Sequence, residues 1–107
     1  MSALGELETL ILLATLRLGD AAYGVSVRDE IEDRTGRRLT RGAIYTALRR
    51  LEAKGFLASE LGDPTPERGG RAKRFVTVTE AGLAEVRATT RDLDRMRAGL
   101  DDLLAGA

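Results

Sequence analysis

The first third of the chain carries two stretches in which apolar residues recur every three or four positions, the period of an amphipathic helix. The first stretch, residues 4–18, has one apolar stripe and ends at Gly19, and its stripe consists of Leu7, Leu10, Ile11, Ala14 and Leu18. The second runs from about Tyr23 to Thr35 and has its apolar positions four apart, at Tyr23, Val27 and Ile31. Gly36 follows it, where a helix commonly ends on glycine. Two helices are therefore predicted here.

A third helix is predicted from Thr40, a favourable N-cap residue, to Gly55. Ile44, Leu48 and Leu51 recur at the spacing of one helix face and are expected to face the core. The other faces carry polar and basic side chains, namely Arg41, Tyr45, Thr46, Arg49, Arg50 and Lys54. This helix therefore combines a buried stripe with a basic exposed surface.

After Gly55 the apolar residues no longer follow the helical spacing, and the sequence is typical of a β-hairpin. Leu57–Leu61 is predicted as a short strand, and residues 62–72 form a loop because they contain two prolines and several glycines. Residues 73–78 are rich in β-forming side chains and pair naturally with the first strand. The order of helix, turn, basic helix and hairpin predicts a mainly α fold of winged helix-turn-helix type.

The last predicted helix begins after Thr79 and reaches the C-terminus. Its apolar residues follow a heptad-like pattern typical of a seam between helices, and they are Val86, Leu93, Met96, Leu100 and Leu103. The alternative is that this stripe completes the protein's own core. We expect a dimer seam, because three helices and a hairpin already close the domain. The prediction is a DNA-binding domain over residues 1–78 and a dimerisation helix over residues 79–107.

Composition and charge narrow the function. The 107 residues contain no cysteine and no histidine, which argues against thiol chemistry, the usual acid–base residue and most transition-metal sites. Formal net charge is zero, yet residues 37–74 carry ten basic against four acidic side chains, a net charge of +6. The flanking segments, 1–36 and 75–107, have net charges of −4 and −2. The basic segment coincides with the third helix and the hairpin, as expected for a nucleic-acid binder.

Two further patterns bear on location and on other functions. The longest apolar run is far shorter than a membrane span, and no signal peptide is evident, so a cytoplasmic protein without membrane contact is expected. We interpret acidic pairs such as Glu30 with Asp33 and Asp101 with Asp102 as ordinary charges on helix surfaces and not as catalytic carboxylates. This interpretation argues against an enzyme. The alternative to a DNA-binding protein is a winged-helix module that binds only other proteins. Such a module would not need the basic helix and hairpin.

Several short blocks, in this order and spacing, resemble the PadR family of winged-helix transcriptional regulators. They span nearly the whole chain from Leu7 to Glu85 and are residues 22–24, 39–45, 47–57, 69–75 and 78–82. The resemblance implies a homodimeric DNA-binding regulator, more often a repressor, that needs no cofactor. The apolar residues Leu93, Met96 and Leu100 suggest a further hypothesis: a pocket for a small apolar effector between the last helix and the first, lined by these residues.

Each basic or polar residue of the expected DNA surface has a physical role. The first turns of the third helix would enter the major groove and read base edges, through Thr40, Arg41, Gly42, Ala43 and Thr46. Phosphate contacts are expected from Tyr23, Tyr45, Arg49 and Arg50, and at the hairpin tip from Arg71 and Lys73. The alternatives are a solvated surface for Arg41 and the tip residues, a packed ring for Tyr45, and ion pairs with Glu52 or the second helix for Arg49 and Arg50.

Overall fold

The computed structural model describes residues 4–62 and 72–106 of the chain. The described part is mainly helical with one two-stranded antiparallel sheet, which confirms the predicted fold class. Its elements are α1 (Glu6–Leu18), a 3₁₀ turn (Gly19–Ala21), α2 (Gly24–Thr35), α3 (Arg41–Ala53), β1 (Leu57–Leu61), β2 (Arg74–Val78), α4 (Glu80–Arg97) and α5 (Asp101–Ala105).

The starts of α3 and α4 and the end of α2 lie where the sequence predicts them. The Thr40 hydroxyl accepts a hydrogen bond from the Ala43 N–H at 3.0 Å, and so begins α3. Thr79 does the same for α4, since its hydroxyl accepts from the Gly82 N–H at 3.0 Å. Gly36 ends α2 in the left-handed conformation with φ of 75°, which glycine adopts without steric cost. These local signals set the boundaries of the helix-turn-helix.

One apolar core joins all the larger elements. α1 contributes Ile11 and Leu12, which have no exposed surface, and α3 contributes the predicted Ile44, Leu48 and Leu51. Val27 and Ile31 of α2 complete the helical part, and β1 and β2 add Leu57 and Val76. No helix in the described part of the chain is long and apolar enough to cross a membrane.

The hairpin is attached to the start of the helix-turn-helix. β1 and β2 pair from Leu57 with Val78 to Leu61 with Arg74. The outer edge of β2 meets the segment before α2, where the Val76 N–H donates to the Ala22 carbonyl at 2.9 Å and Phe75 bridges to Tyr23. The wing is therefore hydrogen-bonded to the segment that starts α2.

The C-terminal region differs from the prediction in two respects. Val86 is only 3% exposed and belongs to the protein's own core, so its assignment to a dimer seam is wrong. The predicted single helix is interrupted: α4 ends at Arg97, Gly99 adopts a φ of 84°, and α5 begins at Asp101. A left-handed glycine turns the chain out of the helical path, and the heptad pattern therefore does not continue along one straight helix.

Candidate nucleic-acid interface

α3 presents one buried and one exposed face. Ile44, Ala47, Leu48 and Leu51 are buried, and their side chains hold the helix against α1 and α2. All eight residues of this helix and its cap that were predicted to contact DNA are exposed, and they are Thr40, Arg41, Gly42, Ala43, Tyr45, Thr46, Arg49 and Arg50. An exposed basic face on the second helix of a helix-turn-helix is the geometry that enters a major groove.

The first turn of α3 allows close approach of another molecule. A Cβ atom built on Gly42 would meet no other atom within 4 Å, so nothing inside the protein requires a glycine at this position. Gly42 and Ala43 expose backbone between larger neighbours, while the Thr40 hydroxyl is occupied as an acceptor by the helix cap. Because Gly42 and Ala43 have small side chains, the backbone of this turn can come within contact distance of base edges.

Tyr45 packs beside the start of α2 and remains 43% exposed. A Cβ atom on Gly24 would lie 3.1–3.2 Å from three atoms of the Tyr45 side chain, Cε1, Cζ and Oη. Such distances are tighter than ordinary van der Waals contact, so the absence of a side chain at Gly24 makes room for the ring. The ring therefore packs on α2, which is one of the two alternatives considered from the sequence. Its exposed part can still contact DNA.

Two predicted DNA contacts from distant parts of the chain meet at the base of the wing. The Lys73 ammonium lies 4.5 Å from the centroid of the Tyr23 ring, a cation–π distance. Phe75 meets the same ring edge-on, with centroids 5.7 Å apart. The Arg74 guanidinium donates to the Ser59 hydroxyl at 3.2 Å across the hairpin. The predicted contact Arg71 lies outside the described residues.

Arg50 acts on a carboxylate that the sequence reading did not connect with it. Burial raises the pKa of Glu8 in α1, but the Gly5 N–H, the Lys54 ammonium and the charge of Arg50 together hold that pKa below its ordinary value. Lys54 donates to both carboxylate oxygens of Glu8, at 2.8 and 2.9 Å. The charge of Arg50 therefore acts on a carboxylate of α1.

Other ion pairs offset part of the acidic charge of residues 1–36. Glu30 pairs with Arg34 and, at 3.3 Å, with Arg17, and Arg34 contributes most to lowering the pKa of this carboxylate. Glu6 and Arg37 pair at 2.8 Å, and this hydrogen bond lowers the pKa of Glu6. Among the described residues, no group of acidic side chains is arranged to hold a metal ion.

One residue on this face was missed by sequence reasoning. Arg28 of α2 lines a small hollow between α2 and α3, together with Gly24, Val25, Arg41, Ile44 and Tyr45. Its Nε atom is buried and has no hydrogen-bond partner in the structure. Nothing in the sequence separates Arg28 from the other charged residues of α2, because its position depends on how α2 and α3 pack together.

A second exposed surface is apolar and lies at the C-terminal end. The predicted seam residues other than Val86 are exposed there, by 52% at Leu93, 76% at Met96, 42% at Leu100 and 79% at Leu103. A groove of about 590 Å³ runs between α1 and α4, and Leu10, Leu13 and Leu93 contribute to its lining. Met96 and Leu100 do not line it, so the expected pocket exists with only one of its three predicted residues.

Comparisons with known proteins agree with this geometry. The model of the family described as "Transcriptional regulator PadR-like family" matches residues 12–88. A PadR family transcription regulator from hypervirulent Clostridium difficile superposes with a TM-score of 0.74 at 23% identity, over 94% of this chain and 99% of that one. Another from Eggerthella lenta gives a TM-score of 0.69 at 28% identity, covering 95% and 88% of the two chains.

A winged-helix DNA-binding protein from STIV is also similar, with a TM-score of 0.67, 20% identity and coverage of 85% of this chain and 90% of its own. Comparison with curated protein sequences finds no match. The family match spans well over half of the chain, and the fold is that of winged-helix DNA-binding proteins. The family consists of transcription regulators and not of enzymes. The chain therefore belongs to the PadR-like family and is a DNA-binding transcriptional regulator.

Proposed function

We propose that this protein binds a palindromic operator as a homodimer in the cytoplasm and represses transcription there. The observation that carries the proposal is the exposed face of α3, on which all eight predicted contacts lie opposite the buried stripe. A repressor of this kind acts by occupying DNA that the polymerase needs. The proposal assigns DNA binding to residues 1–78 and dimerisation to residues 79–107.

The DNA contacts divide into two kinds. The first turns of α3 read bases: the Arg41 guanidinium donates two hydrogen bonds to a guanine edge, and Thr46 contacts a base edge or a thymine methyl group. Tyr45, Arg49 and Lys73 contact phosphates, which orient the protein without specifying sequence. Arg71 is proposed as a further contact from the wing. Arg50 has a smaller share, because its charge also acts on Glu8.

The apolar C-terminal surface supports the homodimer. Leu93, Met96, Leu100 and Leu103 are each at least 42% exposed, and burial of one such side chain contributes roughly 1.5–3 kcal/mol. A second copy is the simplest partner that presents an equally apolar surface, and a two-fold axis makes the contact self-complementary. Two recognition helices related by that axis read two inverted half-sites, roughly one or two turns of duplex apart.

Selection of binding sites from random duplexes tests the proposal directly. The purified protein, at about 150 mM salt, should enrich a two-fold symmetric site with a dissociation constant in the nanomolar range. Affinity should fall steeply with salt, because roughly six to ten phosphates are contacted per dimer. Absence of enrichment, together with weak binding of every sequence, would favour a module that binds proteins only.

Two substitutions separate base contacts from phosphate contacts. Arg41→Ala should relax the selected sequence at one position in each half-site, at a cost of about 1–3 kcal/mol. Arg49→Ala should weaken binding to all sequences alike and reduce the salt dependence. If Arg41→Ala selects the same sequence as the wild type, the proposal that Arg41 reads a base is wrong.

We also propose that a small apolar effector, where the protein uses one, binds in the groove between α1 and α4. The groove volume of about 590 Å³ is typical of small-molecule sites, and its lining includes Leu10, Leu13 and Leu93. The second copy would dock beside the same groove, so an occupant there would alter the distance between the two recognition helices. A screen of apolar compounds for a raised melting temperature and for release from the operator tests this proposal.

A further inference from the structure

The hollow between α2 and α3 has the size of a single atom. Its volume is about 10 Å³, close to the space that one water molecule occupies. Arg41, the Tyr45 ring and Arg28 surround it, and Gly24 forms its wall without a side chain. The hollow is on the side of the helix-turn-helix that also carries the exposed residues of α3. A single oxygen atom of a ligand would fit into it.

The interactions of Arg28 with the rest of the protein are weak. Its Nε–H is buried without an acceptor, and the ion pair that it forms among the described residues is a long one, 3.6 Å to the Asp29 carboxylate. Arg34 on the same helix differs, since its guanidinium is hydrogen-bonded to Glu30. The Arg28 side chain as a whole is 28% exposed, so its positive charge remains open to an anion that approaches the hollow.

We infer that Arg28 and Tyr45 together bind one phosphate of the DNA backbone, at the junction of α2 and α3 and next to the base-reading Arg41. This inference rests on the proposed function. The exposed part of the Arg28 guanidinium can donate to one phosphate oxygen, and the Tyr45 hydroxyl can donate to a second. The positive end of the α2 dipole, at Gly24, adds to the attraction for an anion.

The position of the contact gives it a role in alignment. Arg28 is on α2 and Tyr45 is on α3, so one phosphate held by both ties the two helices to the same point of the backbone. A phosphate contact adjacent to Arg41 sets how far the first turn of α3 enters the groove. The pair is thus a positioning device for base reading, and it carries no sequence information itself.

Arg28→Ala and Arg34→Ala form a matched pair for the test, because each removes one arginine from α2. Fluorescence anisotropy with the selected operator duplex, from about 50 to 300 mM salt, should show about tenfold weaker binding for Arg28→Ala and a salt slope lower by about 1 per site. Arg34→Ala should stay within about twofold of the wild type. The melting temperature of Arg28→Ala should not fall, because no internal hydrogen bond of Nε is lost.

Tyr45→Phe adds a second measurement, since it removes the hydroxyl and keeps the ring. It should weaken binding severalfold without changing the salt slope. In the double variant Arg28→Ala/Tyr45→Phe the loss should be smaller than the product of the two single losses, because both residues hold the same phosphate.

The outcomes separate this inference from the proposed function. A wild-type protein that binds no duplex overturns both. A wild-type protein that binds, with Arg28→Ala equal to Arg34→Ala, overturns only the inference.

Discussion

Gly82, in the first turn of α4, touches the backbone that links α3 to β1. A Cβ atom on it would lie 2.2 Å from the Phe56 carbonyl oxygen and 3.0 Å from Val78 Cγ1, where 3.4 Å or more is ordinary contact. The Phe56 carbonyl cannot yield freely, because it accepts the Thr79 N–H at 3.1 Å. The Thr79 hydroxyl in turn donates to the Gly55 carbonyl at 2.6 Å. In Gly82→Ala, α4 must therefore move away from the turn.

The cost follows from three contributions. Overpacking against backbone costs about 1–3 kcal/mol, and weakening the Thr79 hydrogen bond adds about 1 kcal/mol. Alanine recovers about 0.5–1 kcal/mol, because it restricts the unfolded chain and favours a helix. We expect a net loss of about 2 kcal/mol of unfolding free energy in Gly82→Ala. For a chain of this size that corresponds to a melting temperature lower by roughly 8–16 °C.

Thermal and urea unfolding at one fixed protein concentration measures this, with Gly42→Ala as the control. Gly42 also lies in the first turn of a helix, but a Cβ atom there meets nothing within 4 Å. Its alanine variant should unfold at the wild-type temperature or slightly above it, while its bulk at the groove-facing turn weakens operator binding. Equal melting temperatures for the two variants would refute the argument from the Phe56 contact.

Three other predictions concern charge, the α2–α3 contact and assembly. Because the Glu8 pKa is lowered in the folded protein, Glu8→Gln should cost about 1–2 kcal/mol at neutral pH. That difference should disappear as the pH falls through the lowered pKa of Glu8, in urea unfolding followed against pH. Gly24→Ala should displace the Tyr45 ring, which is 43% exposed and able to yield, so operator binding should weaken about threefold or more while the melting temperature stays within a few degrees. Leu103→Glu should yield monomers in sedimentation experiments, because it places a charge in the proposed apolar interface; a dimer that persists would remove Leu103 from that interface.

Patterns local in sequence predicted most of the fold. The spacing of Ile44, Leu48 and Leu51 identified the buried face of α3, and the residues predicted to contact DNA are exposed on its other faces. The threonine caps at Thr40 and Thr79 are formed as predicted, because a cap depends only on residues within one turn.

The errors arise where distant segments meet. Val86 has the spacing of a seam residue, yet it is buried in the protein's own core, which periodicity alone does not reveal. The break at Gly99 did have a local signal, since basic residues precede this glycine and acidic ones follow it, as at the end of one helix and the start of another. Pairing of Glu8 with Lys54 and the place of Arg28 both depend on tertiary packing.

The attachment of β2 to the segment before α2 has a consequence for the operator. The Val76–Ala22 hydrogen bond and the contact of Lys73 with Tyr23 join the base of the wing to the segment that starts α2, and α2 packs against the recognition helix α3. In the proposed dimer, the base of the wing and α3 of each subunit would therefore meet the duplex at a set separation. A base pair inserted within one half-site would weaken binding, because it displaces one of the two from its contacts. Tolerance for a different distance between the half-sites would come from the region that joins the proposed subunits, near the turn at Gly99.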